Sequence, residues 1–168
     1  MVQNSKSQKI HKKSRGQTMV EFALAFPVFL MLVLGIIEFG RLLVAYSSVY
    51  VAAREAARYG AAVEEIATDV PRYQDCQGMR NAAARVGFLG FLDNPFSQVA
   101  ITYVGKSSLT SKADCNATPS GFNPALGDRV RVVVTVTYQP IIGIIPQMQI
   151  SSTAIRTIIS KISIDQRR

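Results

Sequence analysis

Few residues in this chain have types and spacings that could do chemistry, and the most suggestive group lies near its beginning. In Arg15-Gly16-Gln17-Thr18-Met19-Val20-Glu21-Phe22 a glycine closes a basic stretch, four residues follow, and then Glu-Phe opens an apolar run. A glycine without a side chain gives a peptidase close access to the peptide bond, and a cut after Gly16 would place a new α-ammonium on Gln17. Glu21 would then sit one helical turn from that charge. A carboxylate near a bilayer costs roughly 2.5 to 3.5 kcal/mol on insertion scales, so it needs a partner, and an ammonium of the same or a neighbouring chain is one. The plainer reading is that Glu21 complements the positive end of a helix dipole, worth about 0.3 to 1 kcal/mol. Spacing and residue type leave both readings standing.

Other chemistry is sparse. His11 is the only histidine and lies in the basic stretch, so a catalytic triad or an imidazole base has no residue to use further along. Glu64 and Glu65 are adjacent, with Asp69 one turn on, but neighbouring helix positions diverge and do not make an acid pair. Gly87-x-x-Gly90 reads as a helix end rather than a phosphate-binding turn. Asn116-Ala117-Thr118 fits a glycosylation sequon by chance. Cys76 and Cys115 are the only two cysteines, too few for a structural zinc site with one histidine. A single disulfide is the better reading, and it implies an oxidising compartment. Neither a catalytic site nor a metal or other cofactor is expected.

The charge of +8 looks like a nucleic-acid footprint. Lys6, Lys9, Lys12, Lys13 and Arg15 all precede the first acidic residue, however, and setting those five aside leaves +3. The remaining basic residues are interleaved with acids, there is no tryptophan, and no basic stripe carries aromatics, so nucleic acid is not an expected partner.

These residues must be positioned by the segments around them. Residues 1–16 are polar and basic and read as a cytoplasmic leader under the positive-inside rule. From Phe22 to Ile37 every residue is apolar, Pro or Gly, reaching membrane-spanning length, about 20 residues, when Met19 and Val20 or Leu42 to Ala45 are included. A cleaved signal peptide is the rival reading, but Glu38-Phe39-Gly40-Arg41 stands where a small-x-small site belongs, and Ala45-Tyr46-Ser47 comes late. Pro27 removes a helix hydrogen bond in mid-anchor, Gly35 softens it, and Glu38 closes it.

Beyond the anchor, Ala45, Val49, Ala52, Ala56 and Gly60 continue the helical period as a small-residue stripe, with Ser47, Arg54, Glu55 and Arg58 on other faces. The stripe permits close approach of the chain's own sheet or of a neighbouring subunit's helix. A helix from about Thr18 to Tyr59 would be on the order of 60 Å long, so its second half stands outside a bilayer.

After a break near Val70-Pro71, a second helix is expected from about Asp75 to Leu89, with Cys76, Met79, Ala82, Ala83 and Val86 on one face. A turn at Asp93-Asn94-Pro95 and a strand from Gln98 to Val104 follow. Gly105 to Gly127 reads as a polar loop. Asp128 to Gln139 is the clearest strand, with Val130, Val132, Val134, Val136 and Tyr138 on one face and Arg131, Thr135 and Thr137 on the other. The apolar linker Pro140 to Pro146 dips into a membrane, meets another subunit or tucks into the core. Gln149 to about Ile162 completes an antiparallel sheet covered by helix on one face. The fold class is α+β: a leader at 1–16, a transmembrane and stalk helix at 17–60, and an extracytoplasmic domain at 61–168.

The string GQTMVEFALAFPVFLMLVLGIIEFGR resembles the TadE-like family of prepilin-like proteins from tight-adherence, Flp-type pilus systems. Gly16, Glu21, Phe22, Pro27, Glu38 and Phe39 match its pattern. The stretch VRVVVTVTYQPIIGIIPQMQISSTAIRTI is similar to that family's C-terminal part. Type IV pilins and type II secretion pseudopilins share the glycine-to-glutamate spacing, while the Glu-Phe pair and the Pro27 placement favour the TadE-like branch. The resemblance implies a pilin-like fold, cleavage between Gly16 and Gln17 by a prepilin peptidase, and a role as minor pilin or assembly factor. It also implies partnership with other pilins, the assembly platform and the lipid bilayer, in a single-pass protein of the cytoplasmic membrane. The alternative is a signal-anchored envelope binding protein that is never processed.

Overall fold

A computed structural model describes residues 15–62, 71–86, 94–106, 111–115, 124, 127–143 and 146–159. The leader up to Ser14 with His11, the Glu64, Glu65 and Asp69 group, Val70, Gly87 to Asp93, the sequon at Asn116, Ile144 and Ile145, and the chain beyond Ile159 lie outside the described residues. The chain divides into two compact units, Met1–Ile37 and Glu38–Arg168.

Helix α1 (Arg15–Gly60) contains Pro27 and continues through it. Within the first unit it is an apolar rod. Every residue from Gly16 to Ile37 is exposed except the half-buried Val33, and Phe22 stacks on Phe26 with ring centroids 5.3 Å apart. A helix this long and apolar can cross a membrane.

In the second unit the small-residue stripe of α1 is buried: Ala45, Val49, Ala52 and Ala56 are at most 1% exposed, as is Gly60 within the buried class. Ala53 and Ala57 join them in one core with Met79, Ala83 and the inward valines of the sheet. The stripe therefore serves the chain's own domain. Small side chains let the helix axis come close to the strands, and a Cβ added at Gly60 would run into the Met79 side chain. On the wet side Arg58 pairs with Glu55 and Arg54 donates to the Tyr50 hydroxyl at 2.7 Å, contacts worth little at an exposed helix surface.

Helix α2 (Cys76–Val86) buries Met79, Ala82 and Ala83, the face its spacing predicts, and Arg80 as well. Asp75 caps it, accepting from the Gly78 N–H at 2.7 Å, while the Tyr59 hydroxyl donates to its other oxygen at 2.9 Å. This satisfies one of the orphan donors at the helix start. A short helix, α3 (Pro95–Gln98), occupies the expected turn.

The sheet has four antiparallel strands in the order β2-β1-β3-β4: β1 (Val99–Val104), β2 (Ser111–Asp114), β3 (Arg129–Tyr138) and β4 (Met148–Thr157). Alternation does the sorting. Val130, Val132, Val134, Val136 and Tyr138 are buried on one face, opposite Val99 and Ile101 of β1 and Ile150 and Ala154 of β4. On the other face Arg131, Thr135 and Thr137 keep partial or full contact with water.

The region read as a loop from Gly105 to Gly127 departs from expectation, because it contains β2. Ser111-Lys112-Ala113-Asp114 has no apolar alternation of its own; it is a strand because β1 offers it an edge, and sheet propensity yields to such context. Cys115 continues the pairing through its N–H to the Ile101 carbonyl at 2.9 Å. Cys115 is bonded to Cys76, which ties this edge to the start of α2. Beside the bond lies Tyr103, whose hydroxyl donates to the Tyr73 carbonyl; burial pushes that phenol up to about 12.

The tightness of the helix–sheet contact gives an expected result. Ala56→Leu should destabilise the folded chain by about 3 kcal/mol through overpacking, whereas Arg54→Ala on the exposed face should change it by no more than about 0.5 kcal/mol. Denaturant unfolding in detergent, followed by tyrosine absorbance, separates the two.

Candidate functional site

Two residue groups stand out. The first is the segment read as a processing site. Arg15 opens α1, so Gly16 and Gln17 lie in its first turn. A Cβ built on Gly16 meets nothing within 4 Å. Glycine at a helical position costs about 1 kcal/mol relative to alanine, and here no close approach among the described residues requires it. The Gln17 side-chain amide donates to Glu21 Oε1 at 3.3 Å, as the i, i+4 spacing on one helix face dictates. Glu21 and Phe22 are exposed to the surroundings of the helix. Glu21 is the one carboxylate between Arg15 and Ile37, with an uncharged amide beside it. This arrangement binds nothing by itself. It leaves a single carboxylate on an apolar surface. Gly35, further along, likewise has open space around it.

The second group gathers around Glu38, within the second unit. Glu38 follows the apolar run and is only 5% exposed. Its Oε1 accepts from the Tyr138 hydroxyl at 2.5 Å, and both carboxylate oxygens lie 3.3 Å from the Ile141 N–H, which donates to them. Arg41, one turn on, brings Nη1 to 3.5 Å from each oxygen and sets its guanidinium 5.5 Å from the Tyr138 ring centroid. The Tyr138 phenol is held above its ordinary value, first by burial and then by the hydrogen bond to this carboxylate. One side chain of α1 thus fastens the last residue of β3 and the first turn of the apolar linker.

Sequence reasoning marked Glu38 as the end of the anchor and put Tyr138 on the inward face of β3, but did not join them. A signal was available: a carboxylate in apolar surroundings needs donors, and Tyr138 is the one hydroxyl on the inward face of β3. The Cys76–Cys115 pair is a structural tie, with Cα atoms 5.9 Å apart. Pro27 and Gly35 both lie inside the continuous helix α1.

Residues 16–58 match the family model described as TadE-like protein. No curated protein and no solved structure matches the chain. The matched stretch holds Gly16, Glu21, Phe22, Pro27, Gly35 and Glu38, so both groups have their α1 residues inside it. Over residues 16–58, then, the chain is similar to the TadE-like family.

Proposed function

We propose that the chain is a minor pilin or pseudopilin-type component for assembly of an adhesive Flp/Tad-type pilus, cut after Gly16 by a prepilin peptidase. The observation that carries this reading is Gly16 itself: a glycine that no packing requires, in the first turn of a helix, five residues before a lone carboxylate. A peptidase needs that bareness; the fold does not. Hydrolysis of the Gly16–Gln17 amide leaves an α-ammonium on Gln17, and Glu21 is then its partner in the same chain or in the next subunit of a fibre.

The topology follows from charge and cysteine usage. The basic leader stays on the cytoplasmic side, the apolar half of α1 occupies the cytoplasmic membrane, and the disulfide-bonded domain stands in the oxidising space beyond. Its partners on this reading are the peptidase, other pilins or pseudopilins, the assembly platform and the bilayer. The role is structural, and no reaction is assigned to the chain's own residues.

A second reading has one observation in its favour. The Gln17 amide already gives Glu21 a hydrogen-bond partner without any cut, as a signal-anchored envelope binding protein would require. Glu21→Ala decides between them. If the ammonium–carboxylate contact contributes about 1.4 kcal/mol, its loss lowers the assembly-competent population about tenfold. Surface pili counted by electron microscopy should fall accordingly while the amount of membrane-bound protein is unchanged. An unaltered pilus count would favour the unprocessed binding protein.

A further inference from the structure

The connection between β3 and β4 is unusual for a hairpin loop. Between Arg131 and Arg156 there is no charged residue, and the connection itself begins Gln139-Pro140-Ile141-Ile142-Gly143. Such loops are ordinarily polar, because water must satisfy their backbone. Here Ile141 is 66% exposed, while its N–H is taken up by Glu38. That N–H is satisfied from inside the protein and the Ile141 side chain faces out.

Its location is fixed by the same bond. Glu38 directly follows Ile37, the last residue of the apolar run, so the loop is held one hydrogen bond from the point where the chain leaves that run. More exposed apolar surface lies in the same unit. Phe39 and Tyr46 on α1 are 61% and 60% exposed. Met148, the register partner of Tyr138, lines a groove with Leu43 and Tyr46. Tyr46 comes about 12 Å beyond Glu38 along the helix, and Tyr and Arg are residue types that settle at a membrane interface. Exposed apolar surface on residues that follow an apolar span in the sequence, and on a loop bonded to the first of them, is covered most simply by the same membrane.

We propose that the Ile141 loop is an interfacial lipid-contacting element: pinned by Glu38, it rests at the headgroup–acyl boundary of the outer leaflet and sets how close the domain stands to the bilayer. The proposal rests on the reading that the first half of α1 is inserted in a membrane.

The chain has no tryptophan, so a single introduced one reports its own surroundings. Ile141→Trp, Leu30→Trp and Gln77→Trp chains would each be reconstituted in vesicles of phosphatidylethanolamine and phosphatidylglycerol, with lipids brominated at shallow or at deep acyl positions. Leu30→Trp should be quenched by the deep bromines, and Gln77→Trp, on the exposed side of α2, by neither. Ile141→Trp should emit to the blue of Gln77→Trp and be quenched several-fold, more by shallow than by deep bromines. If Leu30→Trp is quenched and Ile141→Trp is not, the loop stands clear of lipid and the proposal fails while the anchor reading holds. A blue shift at Ile141→Trp that depends on protein density and not on brominated lipid would mean a second copy covers the loop, which also overturns it. If Leu30→Trp is unquenched, the anchor reading falls and takes this proposal with it.

Discussion

Replacing Cys76 and Cys115 together with serine is expected to lower the stability of the folded chain by about 4 kcal/mol, the loop-entropy value for a closed loop of about forty residues. The two cysteines are 39 positions apart, and the segment they close contains α2, α3, β1 and β2. Unfolding a chain with this cross-link releases less entropy, so its loss favours the unfolded state most. The native side suffers too. β2 is a short strand without an apolar pattern, and the bond at Cys115 is one of the few things holding it against β1. Denaturant midpoints of the oxidised and Cys76→Ser/Cys115→Ser chains in detergent give the difference directly. Hydrogen exchange should show the β1–β2 ladder losing protection before the β3–β4 ladder. An unchanged midpoint would mean that the bond closes no loop that the fold does not already close.

Tyr138→Ala should cost nearly as much. The side chain is 1% exposed at the end of β3, and deleting a buried aromatic ring typically costs 3–5 kcal/mol, here about 4 kcal/mol. It also removes the surface over which Arg41 lies. Tyr138→Phe keeps the ring and removes only the donor to Glu38, so it should cost about 1.5 kcal/mol. The informative quantity is the gap between the two. A phenylalanine chain as stable as the parent would mean that the hydroxyl contributes nothing and that Glu38 holds the linker through the Ile141 N–H. A phenylalanine chain as unstable as the alanine one would make the hydrogen bond the dominant contribution.

How much of this was legible beforehand depended on the range of the interaction concerned. The alternating valines of β3 and the stripe from Ala45 to Gly60 were readable because their periods, two and close to 3.6, are written in neighbouring residues. The stripe left open which partner would bury it. That choice depends on whether a sheet with an apolar face is at hand in the same chain, and Val130 to Tyr138 supply one. β2 was not readable, since Ser111 to Asp114 become a strand only through what β1 offers. Neither was the union of Glu38 with Tyr138, which spans 100 positions. The glycine at 78 was equally opaque: added to its backbone, a Cβ would meet Asp75 and the Tyr59 hydroxyl, a constraint that exists only once α1 and α2 have packed.

The first group, by contrast, is local. Gly16, Gln17, Glu21 and Phe22 lie within two helical turns, and no tertiary contact is needed to place them. Sequence therefore carries the reading of this segment almost as far as structure does. Structure adds that Gly16 has room for a side chain and lacks one.

One measurement addresses the role of Gly16 most directly: the N-terminus of the membrane-associated mature protein by mass spectrometry, for the parent chain and for Gly16→Ala. A start at Gln17 in the parent, and an intact leader in the variant with its folding stability unchanged or raised by up to about 1 kcal/mol, is the predicted result. A parent protein that retains residues 1–16 would contradict the processing and leave Glu21 as the partner of a helix dipole in an unprocessed anchored chain.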